Sequence, residues 1–121
     1  MLHILDKQNS IINKFLSELR NVDVQKDSMR FRRNLERIGE ISAYELSKTL
    51  NYAPVKVQTP LAEAEVQCIS DKVVLATILR AGLPLHQGLV NYFDDAENAF
   101  VSAYRSYTSE SEFEIKVEYI A

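Results

Sequence analysis

The run Lys-Val-Val-Leu-Ala-Thr-Ile-Leu at residues 72–79 constrains this chain more than any other segment. Almost uninterrupted by polar groups and rich in β-branched side chains, it predicts a strand covered on both faces, the situation of a parallel sheet flanked by helices. The turn-forming stretch Arg-Ala-Gly-Leu-Pro-Leu-His-Gln-Gly follows at 80–88, and then a short amphipathic helix carrying Leu89, Val90 and Phe93. A second apolar strand begins near Ala99 and runs through Phe-Val-Ser-Ala-Tyr. Strand, turn, helix and strand in that order predict a right-handed crossover in a parallel sheet, and so the α/β class.

The flanking segments have other periods. Ile11, Ile12, Phe15, Leu16 and Leu19 form one apolar stripe in a helix over 10–20, with Asn9 or Ser10 able to supply the cap oxygen. A longer helix, capped by Asp27 or Ser28, follows Phe31, Leu35, Ile38, Ile41 or Ser42, and Leu46, and runs to about Leu50. Gly39 lies inside it at a cost of about 1 kcal/mol relative to alanine, and close packing is the feature it would permit. From Asn51 the period becomes two: Val55, Val57 and Thr59 alternate with polar residues as far as Pro60, and a second short strand covers 65–69. These predict a loose hairpin with Pro60 at an edge or outside the ladder. At the end, Phe113, Ile115, Val117 and Tyr119 alternate with Glu112, Glu114, Lys116 and Glu118. That pattern predicts a half-buried strand paired with 99–107 across a turn at 108–111.

Composition narrows the function. A chain of 121 residues with 46% hydrophobic and 26% charged residues can build one core. A net charge of −3 argues against a general nucleic-acid binder, which needs a basic surplus or stripe. Cys68 is the single cysteine, so neither an internal disulfide nor a cysteine-built zinc site is available. Asp6, Glu18 and Asp23 interrupt the first 25 residues, which do not read as a secretory signal, and no run approaches the roughly 18 apolar residues of a membrane span. The expectation is a soluble, cytoplasmic domain without a membrane or nucleic-acid partner.

Arg80, Ala81 and Gly82 come directly after the apolar strand, where open α/β sheets bind their ligands. Glycine there permits a positive φ or a close approach to a ligand, and arginine offers a planar donor fork matched to phosphate or pyrophosphate. Arg105 occupies the equivalent place near the end of the next strand, so both arginines can converge on one anion. The alternative is a solvated turn with one surface ion pair each, to partners such as Glu110 or Asp95. Arg30, Arg32, Arg33 and Arg37 form a basic cluster open to a nucleotide or a partner subunit, but Glu36 and Glu40 within helical reach favour a salt-bridged exposed face. Asp94 and Asp95 read as a solvated turn, His86 as a surface histidine or a group near substrate, and Cys68 as a small core residue. His3 and His86 show no metal-ligand pattern. No nucleophile elbow or paired-carboxylate spacing is present, and no catalytic residue is assigned.

The segment Thr-Ile-Leu-Arg-Ala-Gly-Leu-Pro-Leu-His-Gln-Gly at 77–88 resembles the pyrophosphate loop of uracil phosphoribosyltransferases. Ser-Ala-Tyr-Arg at 102–105 is similar to the tyrosine–arginine pair ending that family's next strand. Residues 31–50, with Tyr44-Glu45, resemble its N-terminal helical region, and Thr-Pro-Leu at 59–61 its early β-arm. The likeness runs in order over about residues 15–120.

The resemblance implies the N-terminal part of a type I phosphoribosyltransferase-like fold, one truncated domain over 1–121. Its parts are helices at 1–50, a β-arm at 51–70 and the start of a mostly parallel core sheet at 71–121. It further implies uracil and phosphoribosyl pyrophosphate as substrates, magnesium accompanying the latter, and a homodimer or higher oligomer. Arg80 and Arg105 would hold the pyrophosphate, above a strained Ala81–Gly82 loop in which a non-proline cis peptide fits this fold. The family's ribose-phosphate loop, an acidic residue and a Thr-Gly-Gly turn, has no counterpart here, and Gly39, Gly82 and Gly88 cannot build it. Nor does its uracil-reading segment. The expectation is therefore a phosphoribosyltransferase in the intact protein and no activity from this chain alone. The alternative is a non-catalytic nucleotide-binding or dimerisation module of the same fold.

Overall fold

The computed structural model describes residues 1–121 as a mixed α/β arrangement with two separate sheets. After a single 3-10 turn at Leu5–Lys7 comes α1, Ile12–Arg20, whose first turn is held by the Ile12 amide donating to Ser10 Oγ at 3.2 Å. Helix α2, Ser28–Ser47, starts where expected: Asp27 caps it, its Oδ1 accepting from the Arg30 amide at 3.1 Å.

Strands β1, Tyr52–Gln58, and β2, Glu63–Ile69, form a two-stranded antiparallel sheet of their own. Pro54 lies within β1 opposite Gln67, as a two-stranded ribbon allows because each strand has an outer edge, and Pro60 falls in the turn. Cys68 is half-buried in this arm rather than part of the core.

The second sheet has the order β3-β4-β5. Strand β3, Val74–Leu79, pairs in parallel with β4, Glu97–Tyr107, in a register from Val74↔Glu97 to Leu79↔Ser102. Helix α3, Leu83–Tyr92, makes the crossover between them. Strand β5, Phe113–Ile120, returns antiparallel to β4 across a turn at 108–112, with an irregularity opposite Ser102 and Ala103. The sheet is thus partly parallel.

Two burial expectations are overturned. Strand β3 is covered on one face only: Leu75 is 8% exposed and belongs to the core with Ala43 and Phe93, whereas Val74 and Ile78 are 56% and 62% exposed. Strand β5 is exposed rather than half-buried, since Phe113, Ile115 and Val117 all remain accessible. The cause is the single helical layer: α2 and α3 pack together on one side, and no described element covers the other.

Helices α2 and α3 approach through a pair of glycines. A Cβ on Gly39 would strike the Leu85 carbonyl oxygen, and one on Gly88 would strike the Glu36 carbonyl oxygen and lie 2.9 Å from the Glu40 nitrogen. The close packing expected of Gly39 is therefore present, with Gly88 as its counterpart.

Candidate functional site

The carboxyl end of β3 and the middle of β4 frame an open concavity of about 1070 Å³, lined on the β3 side by residues from Ala76 to Gly82 and on the β4 side by Ser102, Ala103 and Tyr104. Its floor is set by local backbone geometry. The Leu79–Arg80 peptide is cis, one bond before the Ala81–Gly82 segment. The Gly82 amide donates back to the Ile78 carbonyl at 3.2 Å, and the Leu83 amide to the Arg80 carbonyl at 3.1 Å, so the chain turns at once from strand into α3. Pro84 in the first turn suits that start, its fixed φ being helical and its missing N–H falling where helices lack partners.

Gly82 has a φ of −73°, so positive φ is not its role. A side chain there would meet Thr77 Oγ1 and come within 2.7 Å of the Ile78 carbonyl oxygen. The close approach is thus to the chain's own strand, and it lets the loop fold down over β3.

The two arginines differ in placement. Arg80 is exposed and lines the concavity, with the amino-terminal end of α3 beside it. Arg105 is not among the lining residues; its guanidinium carbon lies 4.9 Å from the centroid of the Phe113 ring. Arg105 lies one residue past Tyr104, the last lining residue of β4, and toward the turn where Phe113 pairs with Tyr107. Thr77 pairs with Phe100 and Leu79 with Ser102, so Phe100, Ser102 and Tyr104 face the α3 side, where Phe100 meets His86 with ring centroids 5.2 Å apart. Among the described residues neither arginine has a carboxylate within ion-pair distance, so the alternative of surface pairs with Glu110 or Asp95 does not form.

Several other expectations resolve differently. His86 is buried at 8% exposure beneath the loop, not on the surface, because the first turn of α3 lies on Phe100. The basic cluster is spread among structural partners. Arg33 donates to Glu36 at 2.8 Å, Arg30 lies 3.6 Å from Glu18, and Arg37 donates to the buried Asn34 while stacking over Phe15. Asp94 and Asp95 lie exposed between α3 and β4.

Thr77, Ser102 and Tyr104 also line the site; the sequence named them within the family-like segments without giving them a role. The Glu118 carboxylate, as hydrogen-bond acceptor and as nearby charge, raises the Tyr104 phenol above its ordinary value, with partial burial adding to the effect.

Among the described residues no group of three or more His, Cys, Asp or Glu side chains could hold a metal ion. No helix among the described residues is long and apolar enough to cross a membrane.

A family model described as uracil phosphoribosyltransferase matches residues 6–118. The uracil phosphoribosyltransferase of Porphyromonas gingivalis is 56% identical over 117 residues, which cover 97% of this chain and 54% of that protein. That of Pyrococcus furiosus is 40% identical over 111 residues, 90% of this chain and 46% of that protein. The chain spans about half the length of the curated relatives it matches. The solved structure of the AQ2163 protein from Aquifex aeolicus superposes with a TM-score of 0.79 at 22% identity, covering 93% of this chain and 52% of that one. At that identity the likeness shows the fold alone.

Proposed function

Since this chain belongs to the uracil phosphoribosyltransferase family, we propose that the protein transfers phosphoribose to uracil and that these residues supply the pyrophosphate half of the site. In that reaction uracil N1 forms a bond to C1 of phosphoribosyl pyrophosphate. The C1–oxygen bond to pyrophosphate breaks with its electron pair leaving on the pyrophosphate, and N1 gives up its proton.

The observation that carries this reading is Arg80: an exposed, permanently charged fork without a carboxylate partner among the described residues, on the rim of the concavity at the end of β3. A leaving pyrophosphate gathers negative charge as the ribose develops positive charge, and preorganised donors aimed at the leaving group lower that barrier. The amino-terminal end of α3 adds a favourable field for an anion. Arg105 is the second donor in this reading, Ala81 and Gly82 the backbone beneath the group. Magnesium enters with phosphoribosyl pyrophosphate, held by its oxygens rather than by a side-chain cage, and no step here runs through it. Residues 1–121 contain no glycine-rich ribose-phosphate loop, so they do not turn over substrate by themselves.

The test is pyrophosphate binding by calorimetry. Arg80→Ala should weaken it on the order of 10- to 100-fold, the loss of one charge-assisted contact. Arg32→Ala, on the exposed face of α2, should leave it unchanged. Equal binding by the Arg80 variant and the parent would remove Arg80 from the site.

A further inference from the structure

We infer that Phe113 is a positioning residue for Arg105, its ring holding the guanidinium away from the concavity until a polyanion draws it across. The inference rests on the pyrophosphate reading of Arg105 given above. Three observations carry it. The Arg105 guanidinium carbon lies 4.9 Å from the Phe113 ring centroid, within cation–π range. Phe113 is itself held, since its ring packs against Tyr107 at 5.8 Å and the two residues pair directly across β4 and β5. Direction completes the case. On β4 the concavity is bounded by Ser102, Ala103 and Tyr104, on one side of Arg105, whereas the Tyr107↔Phe113 pair lies on the other side, toward the turn. The stack therefore pulls the guanidinium along the strand, away from the site.

Arg105 has no carboxylate within ion-pair distance among the described residues, so the ring is what competes with an incoming anion. An exposed cation–π contact is weak beside a charge-assisted fork to pyrophosphate, so the anion wins, at the expense of a modest fraction of its affinity. Removing the ring should thus tighten binding, whereas a mere loss of local structure would weaken it.

The experiment compares Phe113→Leu and Phe113→Tyr in the purified intact protein, with inorganic pyrophosphate as the probe. Phe113 is 46% exposed, so the leucine variant opens no buried cavity. Phe113→Leu should bind pyrophosphate about two- to fivefold more tightly, and Phe113→Tyr, which keeps the ring face, as the parent does. By NMR the Arg105 Nε–H resonance should carry a ring-current shift in the parent and in Phe113→Tyr, lose it in Phe113→Leu, and lose it in the parent at saturating pyrophosphate. Equal or weaker binding by Phe113→Leu overturns the inference. So does an Arg105 resonance that stays put while Arg80 responds to the anion, an outcome that leaves the pyrophosphate reading standing. Silence from both arginines overturns the two together.

Discussion

Asn34 is 1% exposed, and both ends of its amide are engaged: Nδ2 donates to Glu18 Oε2 at 2.7 Å, and Oδ1 accepts from Arg37 Nη1 at 2.9 Å. A similar amide-to-carboxylate bond joins the next pair of helices, where Asn91 donates to Glu36 at 2.9 Å and to Glu40 at 2.8 Å. These contacts make two carboxylates sensitive to acid. Hydrogen bonding from Asn91, then from Arg33, holds Glu36 below its ordinary 4.5 despite partial burial, which acts the other way. Hydrogen bonding from Asn34, helped by the charge of Arg30, lowers Glu18 as well. A carboxylate depressed in the folded state contributes stability that is fully present above its unfolded value and lost as pH falls through the folded one. The urea midpoint should therefore show no loss from these groups above about pH 5 and a decline below about 4.5. Glu36→Gln should be less stable near neutrality and have a shallower acid decline. Parallel pH curves for variant and parent would show that Glu36 is not among the responsible groups.

At the level of elements, the α2–α3 crossing holds the most constrained positions, because Gly39 and Gly88 face backbone atoms that cannot rotate away. Gly88→Ala should cost about 1–3 kcal/mol, toward the upper end because the Glu36 carbonyl and Glu40 nitrogen belong to a helix that must shift as a unit. Urea denaturation measures this directly, and a loss below about 0.5 kcal/mol would mean that the helices separate easily. Periodicity reveals these helices, and the glycine in α2, but not which helix comes close enough to need it. The same limit explains β3. An apolar run reports what a strand would bury, not whether anything lies on each side, and in this chain only the α2–α3 side is filled. His86 was misread for the same reason, since its burial depends on Phe100, fourteen residues on and brought beneath it by the crossover. The loop at 80–82 was legible because its residues are contiguous; the capture of Arg105 by Phe113 was not, because it depends on the exact pairing of β4 with β5.

For the whole molecule, surface area is the telling quantity. The chain exposes 9398 Å², whereas a compact monomer of 13.8 kDa exposes roughly 6,600 Å². Large apolar side chains lie exposed on the open face of β3-β4-β5 and on the β1–β2 arm, where Tyr52, Val55, Val57, Val66 and Ile69 are all 39% exposed or more. A standard dimer interface buries about 800 Å² per partner, so a second copy could cover the arm but not the whole excess. The arm is the better docking element, because its strands pair only with each other and the hairpin touches few other parts of the chain. Val55 and Val66 face each other across the ladder, each 45% exposed, and so lie on one face. We propose that the chain self-associates through that face, and a light-scattering mass of at least twice the monomer's at micromolar concentration is the expected result. Replacing both valines with lysine should weaken self-association by more than about tenfold, since two like charges would meet their copies across the interface. Val74→Lys, on the open face of β3, should leave it unchanged. If the Val74 variant dissociates and the double arm variant does not, the interface belongs to the sheet face, and the arm has another purpose.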